Sequence, residues 1–468
     1  MALMTQHLSK GSYALISLGC PKNLVDTECM AGRLRSEGYG LVKEPDGADF
    51  VVINTCGFIA DAREESQRII EEMLELKARG QIRGVIVTGC LAERDKVKLL
   101  EKYPQIDQLL GVFGRDEIVA AVGRMREGQA KPLQQAQGEY VPQDQAERRV
   151  IFRPAPGRPL DDTRRLRITL PHLAFLKIAE GCNRLCSFCT IPSIRGAYAS
   201  KPIEQILAEA EELAADGVKE LILVAQDTSF YGMDLYGKPK LAELLRRLDD
   251  LEGLAWIRLM YLYPMHISDE LISVIAGAKR VLPYLDLPLQ HINDEVLRRM
   301  KRQVTRSQIV ELLCRLREGI DSLVLRTTLM AGFPGETEAQ FQELLEFIRR
   351  ERFERLGAFA YCDEPGTPSA LLEGKLPEKV ISARRERILA EQQAIAFDWN
   401  KAQIGRRTEA IIDGYIPGQP NAYIGRGVAD APEIDGAIYV TGANLKPGQI
   451  ITAEIVASQG YDLIAVAS

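Results

Sequence analysis

FLKIAEGCNRLCSFCTIP, residues 175–192, is the stretch from which the rest of the chain can be read. Phe175–Ala179 is a short apolar run of buried-strand type, and Gly181 opens a polar loop with cysteines at C-x3-C-x2-C spacing: Cys182, Cys186 and Cys189. Thiolates are the usual ligands of iron–sulfur clusters, and a loop this short can wrap three corners of a cuboidal cluster. The fourth iron is then left open, and the amino and carboxylate groups of S-adenosylmethionine can chelate it. An electron from the reduced cluster would break the sulfonium C–S bond and release a 5′-deoxyadenosyl radical. A structural zinc site is closed by four ligands, usually as two C-x2-C-like pairs. Here there is one triplet, and the nearest histidine, His172, lies on the far side of the strand.

Working outward, strand-like runs recur at Leu221–Val224, Trp256–Tyr261, Tyr284–Leu289, Leu323–Leu329 and Gly357–Tyr361. Helical patterns stand between and after them, such as those ending at Gly217 and Phe353. Six β–α units do not close an eight-unit barrel, so residues 168–399 are expected to form an open, partial (β/α)6 barrel with a wide mouth at the strand C-termini. Upstream, Tyr13–Leu18, Phe50–Ile53 and Gly84–Thr88 alternate with helical stretches, the clearest from Asp61 to Gly80. This predicts a doubly wound α/β domain over 11–126 with a parallel sheet. A Gln-, Pro- and Gly-rich stretch over 127–167 reads as a linker, partly ordered against a neighbour. After Trp399 the helical pattern stops, and residues 401–468 carry strand-like runs separated by Gly, Pro and Asn, as in a small all-β, OB-like module.

Three further cysteines share one topological position. Cys20 follows YALISLG, Cys56 follows FVVINT and Cys90 follows GVIVTG. In a parallel sheet all strand C-termini lie on one edge, where ligands bind, so these cysteines are expected to converge. A single cysteine in such a place is commonly a small core residue. Three are harder to explain that way. Cys29 and Cys314 fall in helical patterns and read as packing residues, and Cys362, at the end of the last barrel strand, reads as structural.

The 468 residues suggest roughly three domains, and the 46% hydrophobic and 26% charged composition is that of a globular protein. Nine cysteines, an odd number spread over a long chain, argue against a disulfide framework and for metal or redox use. A formal charge of −6 gives no whole-chain attraction to nucleic acid or anionic membrane. The N-terminus lacks a signal-peptide pattern, and no stretch reaches the ~18 apolar residues of a membrane helix. A cytoplasmic location is the expectation.

SLGCPKNLVDTE (17–28), NTCGFIADAREES (54–66), TGCLAER (88–94), GCNRLCSFCTIPSIRG (181–196), LDLPLQHIND (285–294) and RTTLMAGFPGET (326–337) together resemble the methylthiotransferase family of radical S-adenosylmethionine (SAM) enzymes. The resemblance spans the N-terminal domain, the radical SAM core and a C-terminal module like the family's TRAM domain. SLGCPKN and DAPEIDG (430–436) are similar to the RimO branch, which methylthiolates the β-carbon of an aspartate in ribosomal protein S12 of the small subunit. The tRNA-modifying branch, acting on adenosine, is the alternative. The resemblance implies S-adenosylmethionine as cofactor and two 4Fe–4S clusters, an auxiliary one on Cys20, Cys56 and Cys90 and a radical-generating one on Cys182, Cys186 and Cys189. One S-adenosylmethionine would methylate sulfur carried at the auxiliary cluster, and a second would supply the radical. Lys201 stands where the family more often has arginine.

Residues 401–468 hold five Lys/Arg and seven Asp/Glu. RNA-binding modules normally show a basic footprint, so this balance favours a basic ribosomal protein as the substrate. Phe188 is placed where such enzymes set an aromatic ring near the adenine, although packing would explain it too. Arg326 could reach S-adenosylmethionine or pair with a neighbouring carboxylate. Gln226 and Asp227 occupy a strand C-terminus where barrel enzymes place functional side chains. His266 and His291 receive no role. A plain electron-transfer protein, the reading from another class, has no need of a barrel bearing an open-iron loop.

Overall fold

Phe50–Thr55 and Gly84–Gly89 are buried along their whole length, as strands covered on both faces must be. In the computed structural model, which describes residues 10–129 and 149–468, they form the middle of a six-stranded parallel sheet. Its strands are β1 (Ser12–Ser17), β2 (Gly40–Leu41), β3 (Phe50–Thr55), β4 (Gly84–Gly89), β5 (Gln108–Leu110) and β6 (Val150–Ile151), in the order β2-β1-β3-β4-β5-β6. Alternate residues feed opposite faces. Val51, Ile53, Val85 and Val87 pack with Ile70 and Met73 of the helix Ala60–Ala78. Phe50, Val52 and Ile86 pack with Met30 and Leu34 of Pro21–Ser36 and with Val122 and Met125 of Ile118–Gln129. The expected doubly wound domain is therefore present. Its strand order reverses at β1 and β3, and in such sheets the crevice beyond the strand C-termini at that point is the usual binding position.

Strands β2, β5 and β6 have two or three residues each, too few for periodicity to reveal them. β6 lies inside the stretch read as a linker. Of that stretch, residues 130–148 lie outside the described residues. The part beyond β6 is held against the helix Pro21–Ser36: Leu166 N donates to Glu28 O at 3.0 Å, and Ile168 N donates to Glu28 Oε1 at 3.0 Å.

The chain divides into two compact units. One comprises residues up to Ile168 with Glu180–Arg184 and Cys189–Ala199, and the other Thr169–Ala179, Leu185–Phe188 and Ser200–Ser468. In the second unit, β7 (Leu173–Lys177), β8 (Glu220–Val224), β9 (Trp256–Leu259), β10 (Val281–Asp286), β11 (Val324–Ala331) and β12 (Arg355–Ala360) pair in parallel in sequence order. This is the expected six-unit open barrel. Its helices start where the sequence supplies caps: Thr305 with Gln308 and Thr337 with Gln340 each form a capping box. The last helix, Glu378–Ala402, runs three residues past Trp399.

β13 (Arg407–Tyr415), β14 (Ala422–Gly427), β15 (Ile438–Thr441), β16 (Ile450–Gln459) and β17 (Asp462–Ala467) close a small barrel. The fifth strand, not among the runs read from the sequence, pairs with both β15 and β16 and so completes the closure.

Within this unit the large barrel's strands carry charged and polar side chains that meet the small one. Glu220 accepts from Arg258 Nε at 2.8 Å and also from Arg426. Arg258 Nη1 donates to Val428 O at 2.9 Å, and its guanidinium lies 4.7 Å from the Tyr284 ring centroid. Tyr284 Oη donates to Asp435 at 2.7 Å and Arg355 Nη2 to Asp430 at 2.6 Å. Arg426 and His172 both hold Asp413, at 2.7 and 2.8 Å.

Two consequences follow for charge. Asp413, Asp430 and Asp435 are used in internal pairs, as is Arg426, which leaves four carboxylates and four cations among residues 401–468, Lys401 at the end of the preceding helix included. The acidic excess counted from the sequence is therefore not a surface property, and it no longer bears on the choice of substrate. Burial works against the Asp413 carboxylate, but bonds from His172 and Arg426 outweigh it and hold its pKa below the usual range. A depressed carboxylate contributes stability above its unfolded pKa and loses it as pH falls through the folded value. Asp413→Asn should therefore lower the melting temperature at neutral pH, with the two curves converging below about pH 4. Thermal melts across that range would check this, and a constant difference down to the acid limit would contradict it.

Candidate active site

The first three cysteines stand at the C-terminal edge of the parallel sheet. Cys20 is the N-cap of the helix Pro21–Ser36, Cys56 directly follows β3, and Cys90 opens the helix Cys90–Asp95 directly after β4. Glycines let the loops approach. A Cβ on Gly19, which has φ +88°, would lie 2.8 Å from Cys56 Sγ. A Cβ on Gly57 would lie 2.8 Å from the Cys90 carbonyl carbon. The loops of Cys20 and Cys56, and those of Cys56 and Cys90, thus approach each other closely at the sheet edge.

Polar side chains fix these loops. Asn23 Nδ2 donates to Leu18 O at 2.8 Å and Thr55 O at 3.1 Å, tying the ends of β1 and β3 together. Ser66 Oγ exchanges bonds with the Cys56 backbone, both at 3.0 Å. Burial pushes the Cys56 thiol up, and pushes Cys90 up to about 12 against the pull of the Arg195 guanidinium. Arg195 comes from the short helix Ile191–Arg195, whose Ile194 packs on Cys90, Val112 and Phe113.

The Cys182 loop carries its own donors. Arg184 N donates to Cys182 Sγ and Ile191 N to Cys189 Sγ, each at 3.4 Å. In the second unit Cys186 Sγ accepts from Arg302 Nη1 at 3.8 Å, while Arg302 Nη2 donates to Pro288 O at 2.6 Å and the guanidinium stacks 4.0 Å from the Tyr263 ring centroid. Ser187 is anchored on the chain at 299–300: its N donates to Met300 O at 3.0 Å and its Oγ to Arg299 O at 2.8 Å. Phe188 packs against Val296, Met300, Phe333 and Tyr361.

Donor bonds to sulfur favour thiolates, and soft sulfur ligands suit iron–sulfur clusters. Among the described residues, no group of three His, Cys, Asp or Glu side chains is disposed to hold a single metal ion. A mononuclear zinc site needs its sulfurs crowded round one centre at about 2.3 Å each. A cuboidal cluster sets each ligand on a different iron and asks for wider spacing.

Several other side chains are placed by the structure. Arg326 donates to Asp286 at 2.8 Å and lies 3.6 Å from Asp435, so of its two readings the carboxylate pairing is the one observed. Asp227 is buried and caps the turn Thr228–Phe230, accepting from Ser229 Oγ at 2.6 Å. His291 is fully buried, and burial pushes its pKa down to about 3, so it stays neutral at physiological pH. Cys29 is buried as expected and donates to Asp162. Cys314 is a correction: it is exposed, because the buried stripe of its helix runs through Ile309, Leu312, Leu313 and Leu316. The roles of Asn23, Arg195 and Arg302 were not anticipated. Two of them sit in the quoted motifs, and only the fold shows what they touch.

The model of the Radical SAM superfamily matches residues 176–348, that of Uncharacterized protein family UPF0004 matches 12–111, and that of the TRAM domain matches 404–467. Ribosomal protein uS12 methylthiotransferase RimO of Lachnoclostridium phytofermentans is 43% identical over 97% of this chain and 99% of its own. The protein of that name from Anaeromyxobacter sp. (strain K) is 44% identical over 96% of this chain and 91% of its own. Among solved structures, the radical S-adenosylmethionine methyltransferase TsrM of Kitasatospora setae is similar in fold, with TM-score 0.52 and 16% identity over 77% of this chain and 75% of its own. Among the described residues, no helix is long and apolar enough to cross a membrane. The domain match marks a radical enzyme that works with an iron–sulfur cluster and S-adenosylmethionine, and near-full-length identity above 40% sets its place within that superfamily: the chain belongs to the family of ribosomal protein uS12 methylthiotransferases, RimO.

Proposed function

We propose that this chain works in the cytoplasm, transferring a methylthio group to the β-carbon of an aspartate in ribosomal protein uS12. It would do so with two 4Fe–4S clusters and S-adenosylmethionine. The observation that carries the reading is the gathering of Cys20, Cys56 and Cys90 at one sheet edge, in a chain whose other cysteine loop falls in the radical SAM match. On this reading Cys20, Cys56 and Cys90 hold the auxiliary cluster in a domain over 11–126. Cys182, Cys186 and Cys189 hold the radical-generating cluster in a core over 168–399, and 401–468 form the TRAM domain.

When bound, the clusters supply an electron for cleaving S-adenosylmethionine and a place to carry sulfur. The chain's own residues do the holding. Each trio offers three thiols, which leaves one corner of a cuboidal cluster for an exogenous ligand. Backbone N–H groups of Arg184 and Ile191 stabilise negative charge on Cys182 and Cys189. The pinning of Ser187 sets the course of the loop between Cys186 and Cys189.

Mass spectrometry of ribosomal proteins and of digested tRNA from a deletion strain tests the assignment. The expected result is uS12 lacking the methylthio mass, with tRNA unchanged and the mass restored by the intact gene. An unchanged uS12 together with a lost tRNA modification would instead make the chain a tRNA adenosine methylthiotransferase.

A further inference from the structure

Arg195 is a fully buried arginine in the unit that holds Cys20, Cys56 and Cys90, and its fork is divided between two kinds of partner. Nη1 donates to Asp26 Oδ2 at 2.9 Å and to Glu180 Oε1 at 3.1 Å. Nη2 donates to Asn23 Oδ1 at 2.9 Å and to Cys90 Sγ at 3.4 Å. A purely structural ion pair would be satisfied by the carboxylates alone. Here they hold one arm, and the other arm is aimed at sulfur. Asp26 is itself held by Arg115 Nη1 at 2.6 Å, so the guanidinium is fixed from behind. Asn23, which closes the other side of Nη2, is the residue that ties β1 to β3.

We propose that Arg195 is a positioning residue for the Cys20–Cys56–Cys90 centre, donating to the Cys90 thiolate and raising the reduction potential of the cluster held there. The inference rests on the proposed function. Its physical basis is that hydrogen bonds to ligand sulfurs and local net charge set the potential of such clusters. A donor from a cation withdraws charge from sulfur and stabilises the reduced form, which carries one more electron. Arginine suits the task because its planar fork reaches a carboxylate and a sulfur at once and does not lose its proton. Lysine keeps the charge but cannot span both partners.

The test is an EPR-monitored redox titration of the reconstituted full-length holoenzyme. The two waves are assigned with the Cys182→Ala/Cys186→Ala/Cys189→Ala variant. In Arg195→Lys the auxiliary wave should move to more negative potential, so that the reduced-to-oxidised ratio at a fixed poise falls about tenfold, about 59 mV for one electron. The other wave should stay in place. An unmoved auxiliary wave, or an equal shift of both, overturns the proposal. If Arg195→Lys fails to take up iron, Glu180→Gln serves: it keeps the arginine, removes a carboxylate from Nη1 and should move the same wave to more positive potential. No positive shift there overturns the proposal as well. A wild-type chain holding iron for one cluster only overturns the two-cluster reading beneath it. Two waves with the auxiliary one fixed overturn the role of Arg195 alone.

Discussion

Cys56→Ala is expected to abolish methylthiolation of uS12 while the reduced enzyme still cleaves S-adenosylmethionine to 5′-deoxyadenosine; Cys186→Ala is expected to abolish both. The asymmetry follows from where the residues lie. Cys56 directly follows β3; its backbone is tied to the helix Ala60–Ala78 through Ser66, and its loop meets Cys90 through the close approach at Gly57. None of these bonds involves the loop of Cys182, Cys186 and Cys189. Losing one thiol of three should therefore empty one centre and leave the other able to chelate and reduce its cofactor. Cys186 sits inside the radical SAM match, and losing it removes the first step, on which the second depends. Iron content should fall by about half in either variant if each trio holds one cluster. Chromatographic assay of 5′-deoxyadenosine beside mass spectrometry of uS12 distinguishes the two. Cleavage lost in Cys56→Ala would show that the trios are not separable.

Glu220→Ala is expected to cost about 3–5 kcal/mol of stability, the scale for breaking a buried pair from one side. Glu220 is fully buried at the start of β8 and is the shared acceptor of Arg258 and Arg426, which come from the large and the small barrel. Removing it leaves two buried guanidinium groups facing each other's charge across an apolar gap. Arg426 would keep Asp413, and Arg258 would keep the carbonyl of Val428, so the unit should weaken without losing its fold. An exposed pair is the control: Glu204→Ala, which frees Arg247 at the surface, should leave the midpoint nearly unchanged, because solvent screens such a pair. Chemical denaturation followed by circular dichroism measures both. Equal midpoints for the two variants would refute the account of the buried network.

The sequence determined the order of the longer elements, the type of each domain and the positions of the two cysteine trios. Those signals are local: a fully buried parallel strand is a continuous apolar run, and a cluster loop is a fixed spacing of cysteines. Strands of two or three residues, such as β2 and β6, carry no period and came only with the structure. So did every role set by pairing across distant segments. Arg326 and Asp435 are far apart in the chain, and nothing near either one says that the two side chains meet. The charge balance of the TRAM region favoured a ribosomal protein, the substrate class of the family, but not as a surface property, since composition counts Asp413, Asp430 and Asp435 while only folding shows them buried in pairs. Sequence placed Cys20, Cys56 and Cys90 at one edge because sheet topology is regular. Tertiary structure alone put the Arg195 guanidinium on Cys90, because a hydrogen bond depends on atoms brought within a few ångströms, and chain order does not encode that distance.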